Sequence, residues 1–278
     1  MLSYLLIFVF GIFIGSFLNV LIDRPAREET VVWGSSHCEK CRHKLVWNDL
    51  IPIWSYIRLG GHCRYCHSPI PLWLPAVEVT TGLLFALIAL AFHPLIFNFS
   101  FTIHYLISII YYFTVSSLFL VIFFSDLKYH LIYDQIVYPS IGITLLYRVL
   151  EILDNTTYFS LLSIIHYPLF NYLLSSLLVA VFFYLLHVLG PKIFRKDTMG
   201  LGDVKLAVLM GLLLGYPKII VALYIAFLTG ALAGVILMLA KKAKMKSQIA
   251  FGPFLAGATF VAWFWGERLM GLIPFVLV

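Results

Sequence analysis

Two aspartates lie beside long apolar runs, where an ionised carboxylate is difficult to accommodate. Asp126 comes two residues after Phe124, where one apolar run ends, and Asp203 comes directly before Val204, where another begins. A charge at membrane depth is unfavourable unless it is paired, so such residues are candidates for function. Two carboxylates held close together can share one proton, which is the acid–base arrangement that aspartyl proteases use. This pair is the first candidate for chemistry in the sequence.

Each aspartate also has an ordinary structural interpretation. Asp203 suits the N-terminus of a helix, where its carboxylate accepts backbone N–H bonds and complements the helix dipole. Asp126 is close enough in sequence to Lys128 and His130 to pair with either of them in solvent. The residue types alone therefore leave the catalytic and the structural interpretations open.

Two glycines precede the second aspartate, in the order Gly200, Leu201, Gly202, Asp203. Glycine permits irregular backbone, and irregular backbone at membrane depth is tolerated only beside protein or a water-filled cavity. We therefore predict that Gly200 and Gly202 form a hinge next to such a cavity. This favours the catalytic interpretation, because peptide hydrolysis requires water at the carboxylates.

All four cysteines of the chain fall into two Cys-x-x-Cys pairs, Cys38 with Cys41 and Cys63 with Cys66. Each pair places two thiolates on one tight turn, and two such turns complete a tetrahedral site. Disulfides and free thiols are the alternatives, and the cytoplasmic location inferred below disfavours disulfides. The spacing predicts a four-cysteine zinc site that is structural, because four protein ligands leave no open position for a substrate.

Three further polar residues near predicted helix ends are possible supporting residues. Asn19 lies near the end of the first apolar run, and Glu78 lies a turn or two inside the second. Either can position a substrate or form interhelical hydrogen bonds, which is the commoner role. Lys205 follows the second aspartate closely, and it can offset that charge or extend towards the lipid headgroups.

The composition indicates which elements must hold these residues. Hydrophobic residues make up 62% of the chain and charged residues 12%, whereas a soluble domain has roughly 25% charged residues. The chain is therefore an integral membrane protein, with the lipid bilayer as its first predicted partner. The net charge of +6 is distributed over short connections and forms no basic stripe on a soluble domain, so no nucleic-acid partner is expected.

Apolar runs of about 20 residues, with shorter ones tolerated inside a bundle, predict membrane helices. We predict an all-α polytopic membrane protein with about eight transmembrane helices and a small cytoplasmic zinc-ribbon-like segment between the first two. The predicted helices are Leu2–Ile22, Leu72–Phe92, Ile103–Phe124, Ile136–Leu153, Phe170–Leu189, Val204–Leu214, Ile219–Ala240 and Ile249–Trp265. The predicted domains are a first helix at 1–22, a cysteine segment at 23–71 and a membrane-embedded core at 72–278.

The distribution of lysine and arginine predicts the orientation, because basic loops remain in the cytoplasm. Basic connections alternate with connections that contain neither residue: the basic ones are 23–71, the vicinity of Lys128, 192–196 and 241–246, and the others are 93–102 and 154–169. This alternation predicts that both termini face away from the cytoplasm. It also places Asp126 and Asp203 at the same, cytoplasmic boundary of the membrane, which is necessary for them to act together.

Taken together, these blocks resemble the type IV prepilin peptidases, which are membrane aspartyl proteases of the GxGD class. The resemblance covers most of the chain in discrete blocks, and their conjunction is far more specific than the GxGD motif alone. The matching blocks are Gly15–Val20, the two cysteine pairs with Trp47–Pro52 between them, Pro75–Gly82, Met199–Leu206 and Phe251–Phe254.

The resemblance implies that Asp126 and Asp203 are the catalytic pair. It implies cleavage of the basic leader of type IV prepilins or pseudopilins, after a glycine, at the cytoplasmic face of the bacterial inner membrane. It also implies that members with the cysteine segment often methylate the new N-terminus with S-adenosylmethionine, a cofactor that rests on the resemblance alone. The family often has Ile-Pro-Asp after the first aspartate, whereas this chain has Ile132-Tyr133-Asp134. Asp134 is therefore a rival to Asp126.

Two other functions explain part of the same pattern. A GxGD peptidase of preflagellins or signal peptides, without methyltransferase activity, would share the aspartates, but such relatives usually lack the cysteine segment. A membrane scaffold or transporter with a zinc-ribbon docking domain would explain the helices and the metal. Such a scaffold would not need two aspartates at one depth.

Overall fold

The computed structural model describes residues 2–31, 33–91, 103–155, 168–194, 199–240 and 250–271. These residues are mainly helical, and no β-strand is found among them. Their α-helices are α1 Leu2–Ala26, α2 Trp54–Arg58, α3 Trp73–Ala91, α4 Ile103–Tyr129, α5 Asp134–Asn155, α6 Pro168–Phe194, α7 Leu201–Leu214, α8 Lys218–Leu239 and α9 Gly252–Met270.

Each of the eight predicted apolar runs corresponds to one helix. Helices α1 and α3 to α9 lie over the eight runs in the same order. Within the described ranges, five segments are long and apolar enough to cross a membrane: Leu2–Ala26, Trp73–Ala91, Leu106–Tyr129, Leu169–Ile193 and Lys218–Leu239. Among the other helices, α7 has only 14 residues and packs inside the bundle. The prediction of an all-α, multi-pass membrane protein with a cysteine segment between its first two long helices is confirmed.

Several connections that carry the orientation argument lie wholly or partly outside the described residues. They are 93–102, 154–169, 192–196 and 241–246. The placement of both termini away from the cytoplasm therefore stays a prediction.

The chain forms two compact units, Met1–Phe124 and Ser125–Val278. In the first unit, α1 packs closely on α3, and small residues make this approach possible. A Cβ at Gly15 would lie 2.7 Å from Glu78 Cα, and a Cβ at Gly82 would lie 2.9 Å from the Phe8 carbonyl oxygen. The three domains predicted at 1–22, 23–71 and 72–278 were defined by position relative to the membrane, and that division stays a prediction.

In the second unit, α7 packs against helices α5, α6, α8 and α9. Most of its residues from Leu206 to Leu214 are buried. The tightest approach is at Gly211, where a Cβ would lie 2.3 Å from Ser176 Cα of α6. The helix that begins beside Asp203 is therefore the centre of this unit, and its position is set by close packing.

Candidate functional site

The four cysteine thiols converge on one point in the first unit. All four sulfur atoms lie within 4.8 Å of one another, and Cys38 Sγ is 3.8 Å from Cys66 Sγ. Tetrahedral zinc with Zn–S bonds of about 2.3 Å needs sulfur–sulfur distances of about 3.8 Å, whereas a disulfide needs about 2.05 Å. The four thiols are free. The predicted four-cysteine cluster is confirmed, and its dimensions fit a zinc ion.

The two cysteine pairs lie on turns with the same backbone pattern. The hydrogen bonds are Cys38 N–H to the His43 carbonyl, Arg42 N–H to the Cys38 carbonyl, Cys63 N–H to the Ser68 carbonyl and His67 N–H to the Cys63 carbonyl. The residue that follows each pair has a positive φ, 54° at Arg42 and 52° at His67. The cluster is thus formed by two copies of one turn, each contributing two thiols.

Local hydrogen bonds favour the thiolate form that binds metal at two of the four cysteines. Burial acts to raise the pKa of the Cys38 thiol, but backbone hydrogen bonds at Cys41 and Lys40 outweigh it and lower that pKa to about 6. The Ser68 hydroxyl lies 3.2 Å from Cys66 Sγ and lowers the pKa of that thiol. At Cys41 a backbone hydrogen bond at His43 acts to lower the pKa, but burial and the neighbouring thiols outweigh it and raise that pKa to about 11. Because the thiolate is the metal ligand, the surroundings without metal favour the ligand form at Cys38 and Cys66 and the neutral thiol at Cys41.

The second unit brings together the two aspartates of the predicted pair. Asp126, near the end of α4, is buried with 6% of its surface exposed. Its Oδ2 atom is fully enclosed and makes no hydrogen bond of ordinary geometry within the described residues. Asp203 lies in the first turn of α7, and its Oδ2 accepts the Gly200 N–H at 3.3 Å. The charge of Asp126 acts on the carboxyl group of Asp203, so the two carboxyl groups lie in the same part of the second unit.

The amino end of α9 lies against the Asp126 carboxyl group. A Cβ at Gly252 would be 2.6 Å from Asp126 Oδ2 and 3.0 Å from its Cγ. Any residue other than glycine at this position would therefore displace the Asp126 carboxyl group. A helix N-terminus presents unpaired N–H groups and favours negative charge. The start of α9 is therefore suited to stabilise an ionised Asp126.

Asp134, the rival first aspartate, has different surroundings. Its Oδ1 accepts a hydrogen bond from Lys205 Nζ at 2.6 Å, and 55% of its side chain is exposed. The Lys205 ammonium also lies 5.3 Å from the centre of the Tyr138 ring. Lys205 thus pairs with Asp134, a partner that the sequence analysis did not anticipate. Asp126 is buried and interacts with Asp203, whereas Asp134 is exposed and paired with Lys205, and the assignment of Asp126 as the first aspartate stays a prediction.

Two family models match this chain. The model described as Bacterial Peptidase A24 N-terminal domain matches residues 9–92, and the model described as Type IV leader peptidase family matches residues 113–235. A protein of Xanthomonas campestris pv. campestris named prepilin leader peptidase/N-methyltransferase is 30% identical over 284 residues, which cover 94% of this chain and 90% of that protein. The chain belongs to the type IV leader peptidase family.

Other leader peptidases with the same name are similar along nearly the whole chain. The protein of Pseudomonas aeruginosa is 28% identical and covers 93% of this chain and 89% of its own length. The protein of Aeromonas salmonicida strain A449 is 26% identical and covers 96% and 92%. No solved structure matches the chain.

The two glycines of the GxGD motif in this chain have regular backbone. Gly200 precedes α7 in an extended conformation, with φ −76° and ψ 153°. Gly202 lies within the helix, where a Cβ would be 2.9 Å from Ile132 Cβ. Close packing is therefore one reason for glycine at 202, and a hinge at these residues stays a prediction. The His187 Nδ1 atom donates a hydrogen bond to the Met199 carbonyl at 2.7 Å and so fixes the residue that precedes the motif. The sequence analysis did not identify His187.

The supporting residues Asn19 and Glu78 connect elements of the first unit. Asn19 Nδ2 donates to the Leu74 carbonyl at 3.1 Å, which links α1 to α3. Glu78 Oε2 accepts the Ile53 N–H at 2.7 Å. Ile53 has φ 58°, an uncommon conformation for a β-branched residue. Asn19 therefore has the interhelical contact expected as the commoner role, and Glu78 fixes a strained turn of the cysteine segment.

A cavity of about 330 Å³ lies beside these contacts in the first unit, between the end of α1, the cysteine segment and the start of α3. Its lining includes acidic and basic side chains, of which Arg27 pairs with Asp23 at 3.6 Å. Arg64 pairs with Asp49 at 2.6 Å. Pockets for small ligands start at roughly 300 Å³. The cavity therefore has the size of a small-ligand pocket and is lined by charges of both signs.

Removing one thiol is expected to release the metal and disorder the cysteine segment without unfolding the membrane helices. Cys63 is 4% exposed, so Cys63→Ser removes a ligand from the enclosed side of the cluster. We expect bound zinc, measured by elemental analysis, to fall from about one ion per chain to nearly none. Amide exchange across 33–71 should rise while helical circular dichroism is retained.

Ser68→Ala is the matched control for this change, because it removes a hydroxyl beside two thiols but no ligand. It should keep the metal. Wild-type protein that contains no zinc, or a Cys63→Ser variant that keeps it, would contradict the four-cysteine site.

Proposed function

We propose that this leader peptidase is an aspartyl endopeptidase that removes the basic leader of type IV prepilins or pseudopilins. Cleavage takes place after a glycine, at the cytoplasmic face of the bacterial inner membrane. The observation that carries this proposal is the pair of interacting carboxyl groups, Asp126 and Asp203, in the second unit. The names of the relatives, prepilin leader peptidase/N-methyltransferase, support the class of substrate.

The reaction follows from two carboxyl groups that share one proton. One aspartate is ionised and acts as the general base on a water held between the pair. The protonated partner polarises the scissile carbonyl and then protonates the leaving amine. The two apparent pKa values belong to the pair rather than to either residue. The position of Asp126 against the start of α9 favours Asp126 as the ionised member at the start of the cycle.

Methylation of the new N-terminal amine is the second part of the proposal. S-adenosylmethionine would supply the methyl group, and the cavity of the first unit would hold it. Arg27 or Arg64 would face the donor's carboxylate, and Asp23 or Asp49 its ammonium group. The zinc cluster beside this cavity would keep the cysteine segment folded and take no part in the chemistry.

Incubating the purified protein with a prepilin, with and without S-adenosylmethionine, tests both activities. Mass spectrometry should show the prepilin shortened by its leader in both samples, and heavier by one methyl group only when the donor is present. A prepilin with the glycine before the cleavage site replaced by a bulky residue is the control and should remain intact. Cleavage without methylation would indicate a GxGD peptidase of the preflagellin or signal-peptide type. The absence of any cleavage would favour a zinc-containing scaffold.

A further inference from the structure

The second unit contains a buried arginine that plays no part in the proposed chemistry. Arg148 lies on α5, and 8% of its surface is exposed. An ionisable side chain inside an apolar helix bundle is unfavourable unless it is fully paired, and it usually serves a function. The contacts of Arg148 indicate what that function is.

The guanidinium group of Arg148 binds the carboxyl end of α7. Its NH2 group donates to the Leu213 carbonyl at 2.7 Å, and its Nε–H donates to the Leu212 carbonyl at 3.5 Å. Its NH1 group donates to Glu151 at 2.8 Å, and the group stacks 3.7 Å from the centre of the Tyr172 ring. The planar arginine fork thus contacts the helix end, an anion and an aromatic face at once.

The length of α7 explains why its carboxyl end needs such a partner. A helix of 14 residues is about 21 Å long, whereas the hydrocarbon core of a membrane is about 30 Å thick. The last four carbonyls of a helix have no hydrogen-bond partner within the helix. Inside a membrane, no water is available to donate hydrogen bonds to them. Arg148 supplies donors to two of these carbonyls from a neighbouring helix.

Two residues of α6 contact the residues that directly follow α7. Asn171 Nδ2 donates to the Tyr216 carbonyl at 2.9 Å, and Asn171 Oδ1 accepts the Tyr216 N–H at 2.8 Å. A Cβ at Gly215 would lie 2.8 Å from the Tyr172 ring. We call Arg148, Asn171 and Tyr172 the α7 clamp. All three hold the end of α7 opposite to Asp203.

We propose that Arg148 is a positioning residue, which fixes the buried end of α7 and thereby sets the position of Asp203 relative to Asp126. This inference rests on the proposed peptidase function. Because α7 is closely packed along its length, a shift of its clamped end moves its first turn as well. A displacement of about 1 Å far from the chemistry can lower a rate by about a hundredfold.

The test compares Arg148→Gln with Arg148→Lys and with Arg268→Gln. Arg268 is an exposed arginine on α9, so its replacement removes the same charge from the same unit without touching α7. For Arg148→Gln we expect kcat for prepilin cleavage to fall by about 10-fold to 100-fold, with KM changed by less than about twofold. Lysine retains a charged donor, so Arg148→Lys should recover about half of the loss on a logarithmic scale. Arg268→Gln should equal the wild type.

Amide exchange in Leu212–Tyr216 provides a second measurement that does not depend on activity. It should be faster in Arg148→Gln and in Tyr172→Leu, a milder variant that loses only the stacked ring. Faster exchange with unchanged kcat would overturn the inference, because the clamp would then stabilise α7 without positioning Asp203. A loss confined to KM would overturn it as well. If the wild-type protein cleaves no prepilin, the proposed function fails, and exchange alone decides whether the clamp exists.

Discussion

Asp126→Asn and Asp203→Asn are each expected to abolish prepilin cleavage in a protein that still inserts and folds. Asparagine has nearly the shape of aspartate, but it can neither ionise nor release a proton. Removing one member of a catalytic unit removes most of its effect, so kcat should fall by about 10⁴-fold or more. The double variant should be no slower than the slower single variant, because the two carboxyl groups act as one unit in the proposed mechanism.

Asp134→Asn is the matched control for this pair. It is the same change on a carboxylate that is exposed and bound to Lys205, and activity should stay within about threefold of the wild type, as for most exposed ion pairs. Zinc content and gel filtration should be the same for all variants. Full activity of Asp126→Asn combined with an inactive Asp134→Asn would show that Asp134 is the first aspartate.

Gly252→Ala is expected to reduce kcat by about a hundredfold with little effect on stability. The new methyl group would lie 2.6 Å from Asp126 Oδ2, and the carboxyl group is the movable end of its side chain. The clash is therefore relieved by rotating Asp126 away, which separates it from Asp203 and from the start of α9. Steady-state kinetics and the melting temperature, measured on the same preparation, separate the two effects.

Gly142→Ala is the corresponding control, since a Cβ at Gly142 meets nothing within 4 Å. It lies inside α5, where alanine favours the helix by about 1 kcal/mol, so activity should be unchanged and the melting temperature equal or slightly higher. If Gly252→Ala retained wild-type kcat, Asp126 would not need its present position, and its assignment to the pair would lose its strongest structural support.

Local patterns explain why much of this architecture could be predicted from sequence. The long helices follow apolar runs, and the cluster of Cys38, Cys41, Cys63 and Cys66 follows from spacing within two short turns. Both features depend on residues close together in the chain. The sequence also predicts a shared depth for Asp126 and Asp203, because the positions of apolar runs determine which loops share a side of the membrane, and this depth stays a prediction.

Contacts between distant residues could not be predicted in this way. The fit of Gly252 against Asp126 and the pairing of Lys205 with Asp134 depend on how helices rotate and tilt, which no local pattern records. The role of Arg148 was not predicted although the apolar run was expected to end at Leu214, because it depends on which side chain of a neighbouring helix reaches that end. A buried cation within a predicted membrane helix is the signal that would have identified it.

The paired turns of the cysteine segment also determine how the folding of that segment depends on zinc. Among its described residues from 33 to 71, Pro52 and Cys63 are the apolar side chains that are buried, so little apolar surface opposes the conformational entropy of the chain. A metal that joins two turns 25 residues apart restricts the unfolded chain as a crosslink does. The folded fraction of this segment should therefore follow the concentration of free zinc, independently of the membrane helices.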